Sequence, residues 1–116
     1  LDYWHLLKIH LHKNFADVLA KYPDHTYHYL STKAPNTYTD VTYGENDMLV
    51  FGREDAGIPE SILKENLASC VRIPMIDEAR SLNLSNSVAI VVYEALRQQS
   101  FAGLKKASDY LTKSDI

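Results

Sequence analysis

The period of apolar and polar positions switches along this chain from helical to extended and back. In "NFADVLAKY" the apolar Phe15, Val18, Leu19 and Tyr22 fall at i, i+3, i+4 and i+7, the spacing of one helical face. Asn14 can cap the start of that helix and Pro23 stops it. "TYHYLST", from Thr26 to Thr32, is dense in β-formers and predicts a strand. "APNTYTDVTYGEND" reads as turn and loop. "DMLVF", from Asp47 to Phe51, is a continuous apolar run bounded by Gly44 and Gly52, which suits a parallel strand covered on both faces. "PESILKENL" predicts a short helix with Pro59 at its first position, and "CVRIPM" predicts the next strand.

The stretch from Val71 to Leu96 then poses a problem: a polar block dense in Ser and Asn separates two segments that both look buried. The second of these, Ser85 to Gln98, contains the β-formers Val88, Ile90, Val91 and Val92. It still predicts a helix, because "YEALRQQ" is strongly helix-forming, Ser85, Asn86 and Ser87 offer caps, and the length exceeds that of a strand. A helix this apolar must be buried nearly all round, which a small domain can hardly achieve alone, so a second subunit is expected to cover one side. "GLKKASDYL" predicts a last helix with Leu104, Ala107, Tyr110 and Leu111 turned inward.

Alternating strands and helices with short connections give an α/β fold with a mostly parallel sheet flanked by helices. No repeat or linker divides the chain, so residues 1–116 read as a single domain. In such sheets ligands bind beyond the carboxyl ends of strands. Three loops leave strands in that way: Ser31 to Ala34, Gly52 to Ile58, and Met75 to Asn86.

Composition narrows the class. With 116 residues, 46% apolar and 23% charged, the chain can bury a core without disulfides or metal. A net charge of −3 argues against a broad nucleic-acid-binding face, and leaves room for a local basic patch at Lys33, Arg53, Arg72 and Arg80. The single Cys70 reads as a buried thiol in a reducing compartment. The opening "LDYWHLLKIH" lacks the marks of a signal peptide, and the longest strict apolar run, Val88 to Val92, is too short to span a bilayer. A cytoplasmic protein with no membrane partner is expected. His5, His10 and His12 match no zinc spacing, so no metal is expected either.

Two loops carry candidate chemistry. In "FGREDAGIP", Gly52 and Gly57 follow a buried strand, but Ile58 and Pro59 stand where a phosphate-binding loop needs Lys and Ser or Thr. The glycines either let the backbone approach a ligand or merely turn the chain, with Glu54 a solvated acid between them. Ser81, Asn83, Ser85, Asn86 and Ser87 either bind a ligand's hydroxyls or carboxylate, or fold back onto the loop's own amides. Local pattern leaves both questions open.

"LVFGREDAGIP" followed by "RIPMIDEARSLNLSNSVAIVVYEALRQ" resembles the second and third motifs of the SpoU branch of the SPOUT RNA methyltransferases. With "LDYW" and "LSTKA", the block is similar to the tRNA (cytidine/uridine) 2'-O-methyltransferases that act at the wobble nucleotide. The resemblance covers nearly the whole chain. It implies an α/β fold with a C-terminal trefoil knot, a homodimer, tRNA as partner and S-adenosylmethionine as cofactor, without metal. It implies cofactor contacts at Leu30, Gly52, Ile73 and Ser81, with apolar Leu30, Ile73 and Met75 sandwiching the adenine. A valine at Gly52 is therefore expected to abolish cofactor binding while leaving the fold intact. The resemblance places Glu54, Asn83 and Tyr93, with Ser81, near the reacting groups, and makes Arg80 and Arg53 candidates for RNA contact. In the family a first strand and an Arg-bearing loop precede the place where this chain begins. The chain is thus N-terminally incomplete relative to the family, and weak cofactor binding with poor or absent turnover is expected of it. Two alternatives remain: a non-catalytic RNA- or nucleotide-binding module of the same fold, or a SpoU-type enzyme acting on ribosomal RNA.

Overall fold

The computed structural model describes residues 7–76 and 82–111. Its first helix, α1, spans Phe15–Lys21, and the Asn14 side chain accepts a hydrogen bond from the Asp17 amide at 2.9 Å, which satisfies one of the amides a helix start leaves free. Strand β1 follows at Tyr27–Leu30, β2 at Asn36–Thr37 and β3 at Met48–Val50. Helix α2, Glu60–Glu65, runs through a single 3-10 turn into β4, Cys70–Arg72. Helix α3, Leu84–Gln98, closes the series.

The four strands form one parallel sheet in the order β2-β4-β1-β3. β1 and β4 are therefore central, and Tyr29 sits in register with Val50 on one side and Cys70 on the other. Central position explains why Cys70 and Val71 are completely buried. The strands' alternating side chains divide the interior. On one side Tyr29, Ala34, Ile58, Leu63 and Cys70 form a cluster flanked by Phe15, Tyr27, Val50 and Ile62. Phe15 meets the rings of Tyr27 and Tyr29 edge to face, each at 6.1 Å between centroids, an arrangement that ring quadrupoles favour. His28, between those tyrosines in sequence, instead meets Tyr43 at 4.7 Å between ring centroids.

The structure corrects the sequence reading at several places. β2 lies inside "APNTYTDVTYGEND", which pattern alone made entirely loop; its two residues pair with Val71 and Arg72. Pro59 is the residue before α2 rather than its first turn. α3 starts one residue early and is capped by Asn83, not by Ser85, Asn86 or Ser87. It is also not buried all round: only Val91 and Glu94 are buried on it, and Tyr93 is 61% exposed. Its inward stripe is covered and the opposite face is open. The last expected helix does not form, and Leu104, Tyr110 and Leu111 are exposed. A nine-residue helix has little stability of its own without a surface to bury its apolar face.

Candidate functional site

The three loops singled out from sequence meet. Leu30 to Lys33, Phe51 to Ile58, Ile73, Met75, Leu82 to Leu84 and Ser87 line one cavity of about 600 Å³. They converge because β3, β1 and β4 are parallel neighbours, so the loops leave the sheet at the same edge. The first loop is tied back by Ser31, whose amide donates to the Val71 carbonyl at 3.0 Å and whose hydroxyl accepts from the Lys33 amide at 3.1 Å.

The second loop is closed by its own backbone. The Gly57 amide donates to the Arg53 carbonyl at 2.8 Å, and Gly57 has φ +69°, a conformation that costs other residues strain. Gly52 is required for a different reason. A Cβ placed on it would stand 2.1 Å from the Gly57 carbonyl carbon and 2.3 Å from the Ile58 nitrogen. Buried Ile58 then anchors the far end of the loop in the core. The space beside Gly52 is thus filled by this chain's own backbone. That corrects the expectation that a valine there would spare the fold.

The third loop enters α3 through Asn83. Its Oδ1 accepts from the Ser85 amide at 2.9 Å, the Asn86 amide at 3.3 Å and the Ser85 hydroxyl at 2.6 Å. Cap formation engages this oxygen, which leaves the side-chain amide NH₂ as the group Asn83 can offer a ligand. The Ser and Asn residues thus divide: Asn83 serves the loop's own amides and Ser85 bonds the Asn83 side chain, while Asn83 and Ser87 also border the cavity.

Of the residues proposed from sequence, Leu30, Gly52, Ile73 and Met75 line the cavity, as do Glu54, Asn83 and Arg53. Arg53 donates to Asp55 at 2.8 Å on the exposed rim. Arg80 and Ser81 lie outside the described residues. Tyr93 does not join the others in the cavity wall. Ser87, Val91 and Glu94 follow the inward stripe of α3, and Tyr93, two residues past Val91, points roughly the opposite way. Pattern reasoning missed Leu82, Leu84, Ile58 and the role of Lys33 as wall residues. Leu84 and Ser87, three apart at a helix start, carried a usable signal in their spacing.

The rim is electrostatically paired. The Lys33 ammonium lies 2.8 Å from Glu60 Oε1 and, by hydrogen bond and charge, holds that carboxyl below its ordinary range. A second polar network lies away from the cavity. His28 Nε2 and Asp47 Oδ2 are 2.7 Å apart, and the Gly44 amide donates to the same Asp47 oxygen at 2.8 Å. Burial opposes ionisation of Asp47, yet the Gly44 amide and His28 together outweigh it and keep the carboxyl below its usual value. Gln98 accepts from the Tyr43 amide and donates to the Val41 carbonyl and to Glu94, each at 2.9 Å. Burial first, then the charge of Glu94 and the neighbouring Tyr38, pushes the Tyr43 hydroxyl up to about 12. Among the described residues no group of three or more His, Cys, Asp or Glu could hold a metal ion, and no helix is long and apolar enough to cross a membrane.

The cavity fits S-adenosylmethionine in size and in kind. Its volume lies in the range of small-molecule sites, about 300–1,000 Å³. Leu30, Ile73, Met75 and Leu82 offer an apolar wall for a planar base, and Glu54 and Asp55 offer carboxylates to a cationic group.

Comparison with known proteins identifies the family. The model of the SpoU rRNA Methylase family matches residues 1–93. A Lactococcus lactis protein provisionally named a tRNA (cytidine(34)-2'-O)-methyltransferase is 45% identical over 115 residues, covering 95% of this chain and 68% of its own length. A solved Bacillus anthracis structure, provisionally described as an RNA methyltransferase, superposes with a TM-score of 0.85 at 40% identity, covering 92% of this chain and 69% of that one. Another, solved for insight into 2-OH methylation of C/U34 on tRNA, gives a TM-score of 0.81 at 34% identity, covering 87% of this chain and 66% of that one. Three loops gathered at one edge of a parallel sheet, and a family match over most of the sequence, lead to one conclusion: the chain belongs to the SpoU rRNA Methylase family.

Proposed function

We propose that this chain carries the catalytic domain of an S-adenosylmethionine-dependent methyltransferase that modifies the ribose 2'-hydroxyl of the wobble nucleotide of tRNA. The observation that carries the reading is the shared cavity, which gathers Leu30, Gly52, Glu54, Ile73, Met75 and Asn83 from three separate loops. Two of the relatives named above, the Lactococcus lactis protein and the structure solved for C/U34 methylation, carry nucleotide 34 of tRNA in their descriptions and support the substrate class.

When bound, the cofactor supplies an electrophilic methyl group on a sulfonium. The protein's part is positioning. Leu30, Ile73 and Met75 hold the cofactor's base by apolar contact, together with Ser81, and Gly52 keeps the loop beside them closed on its own backbone. Glu54, exposed on the loop between the two glycines, is the carboxylate placed to orient or accept the proton of the 2'-hydroxyl. The Asn83 amide donates to the ribose from the start of α3. Arg53 and Arg80 contact RNA phosphates. Tyr93 acts from outside this cavity, on a face open to RNA or to a second subunit. Metal plays no part in the scheme.

A homodimer belongs to the same proposal. Its support is the outer face of α3, where Tyr93 is 61% exposed. The C-terminal trefoil knot does too. It is supported by the place of β4, the last of the four strands, between β2 and β1 in the sheet interior. The site of action is the cytoplasm. Mass mapping of tRNA incubated with protein and cofactor tests the whole reading. A methyl group on the ribose of nucleotide 34 is expected, and modification of a base or of another nucleotide would overturn it.

A further inference from the structure

We propose that Lys33 is a phosphate contact for the substrate RNA at the mouth of the cavity, and that Glu60 holds it in reserve until RNA displaces the carboxylate. This rests on the RNA-modifying reading of the site. Lys33 comes from the β1 loop and lines the same cavity as Glu54 and Asn83. Its backbone is fixed by the Ser31 hydroxyl at 3.1 Å, and the loop is pinned to β4 through Val71. The side chain is free to exchange partners. Its 2.8 Å pair with Glu60 is 64% exposed on the lysine side and 61% on the glutamate side, and such pairs contribute little to stability.

The same design recurs on the adjacent loop. Arg53 also lines the cavity and is also matched by an exposed carboxylate, Asp55, at 2.8 Å. Two rim cations, each matched by a carboxylate, fit a chain of net charge −3. Such a chain has no broad positive field to gather RNA. Each cation is instead exchanged locally, from a carboxylate to a phosphodiester, when the ribose next to it enters the site. A phosphate offers stronger charge-assisted acceptors and releases a counterion on binding. Glu60 therefore competes with RNA for Lys33, and removing its charge tightens RNA binding.

The test is tRNA binding by the unaltered chain, Lys33→Met, Glu60→Gln and the double variant across a salt series. Lys33→Met is expected to weaken binding and to lower the slope of log affinity against log salt by roughly 0.7 to 1. Glu60→Gln is expected to lower the Kd by about two- to fivefold, the scale of a released surface pair. The double variant should show no gain from Glu60→Gln, because the cation it frees is gone. Calorimetric affinity for S-adenosylmethionine should match the unaltered chain in all three, which also reports that they are folded. Unchanged tRNA affinity and slope in Lys33→Met, or a gain from Glu60→Gln that survives in the double variant, would overturn the proposal while leaving the methyltransferase reading intact. Failure of the unaltered chain to bind tRNA would overturn both.

Discussion

Gly52 shows how much one missing side chain can decide. Its position beside the cavity invites a reading in which the bare backbone receives a ligand. The distances assign the constraint instead to the loop's own return, since a Cβ would overlap the Gly57 and Ile58 backbone. Backbone cannot rotate away as a side-chain tip can. Gly52→Ala is therefore expected to lower stability by about 1–3 kcal/mol, as overpacking does, and to lose cofactor affinity as a consequence of a displaced loop. Thermal melts with calorimetry separate the cases: a variant as stable as the parent with cofactor affinity lost would restore the ligand-contact reading. At this scale the sequence was legible where residue type and role coincide. Asn14 capped its helix as its neighbours indicated. It was illegible where the role depends on what returns through space, as for Gly52, and where two faces of a helix look equally apolar, as for Tyr93.

Elements were legible where periodicity ran on long enough. α1, α3 and the strands at Tyr27 and Met48 stand where the pattern put them, give or take a residue or two, and the strand at Cys70 starts where expected but ends at Arg72, three residues before Met75. β2 was hidden because a two-residue edge strand carries no period, and only its partners Val71 and Arg72 define it. The last helix failed in the opposite sense: its pattern was present but no surface meets it. α3 was read as wholly buried because its sequence is apolar on most faces, yet its C-terminal end is held by polar groups. Gln98 satisfies the Tyr43 amide and the Val41 carbonyl of the segment before β3 while bonding Glu94. Gln98→Ala strips the partners from that part-buried backbone, so a loss of about 1–3 kcal/mol is expected. Denaturant unfolding checks this, and an unaltered midpoint would show that water replaces the side chain at no cost.

As a whole molecule the chain is more extended than its length requires. Its radius of gyration is 16.8 Å, against about 13 Å expected of a compact domain of this size. Few large side chains are fully buried, and large apolar ones remain exposed, Leu11 at 94% and Tyr110 at 87% among them. Surface of this kind favours association. Light scattering at micromolar concentration is expected to give twice the monomer mass, and a strict monomer would contradict the proposed homodimer. Architecture and cavity were legible from the alternation of strands and helices alone, because parallel neighbours must send their loops to one edge. The chemistry proposed there was legible only through the resemblance of whole motifs, since Ser and Asn residues at a helix start serve caps and ligands equally well.

The central claim is that this cavity directs a methyl group to a tRNA ribose. The most direct measurement supplies S-adenosylmethionine carrying a labelled methyl, with tRNA and ribosomal RNA together in one reaction, and locates the label by mass mapping. The account predicts label on the 2'-oxygen of tRNA nucleotide 34. Label confined to ribosomal RNA, or tRNA labelled on a base or on another nucleotide, would contradict it.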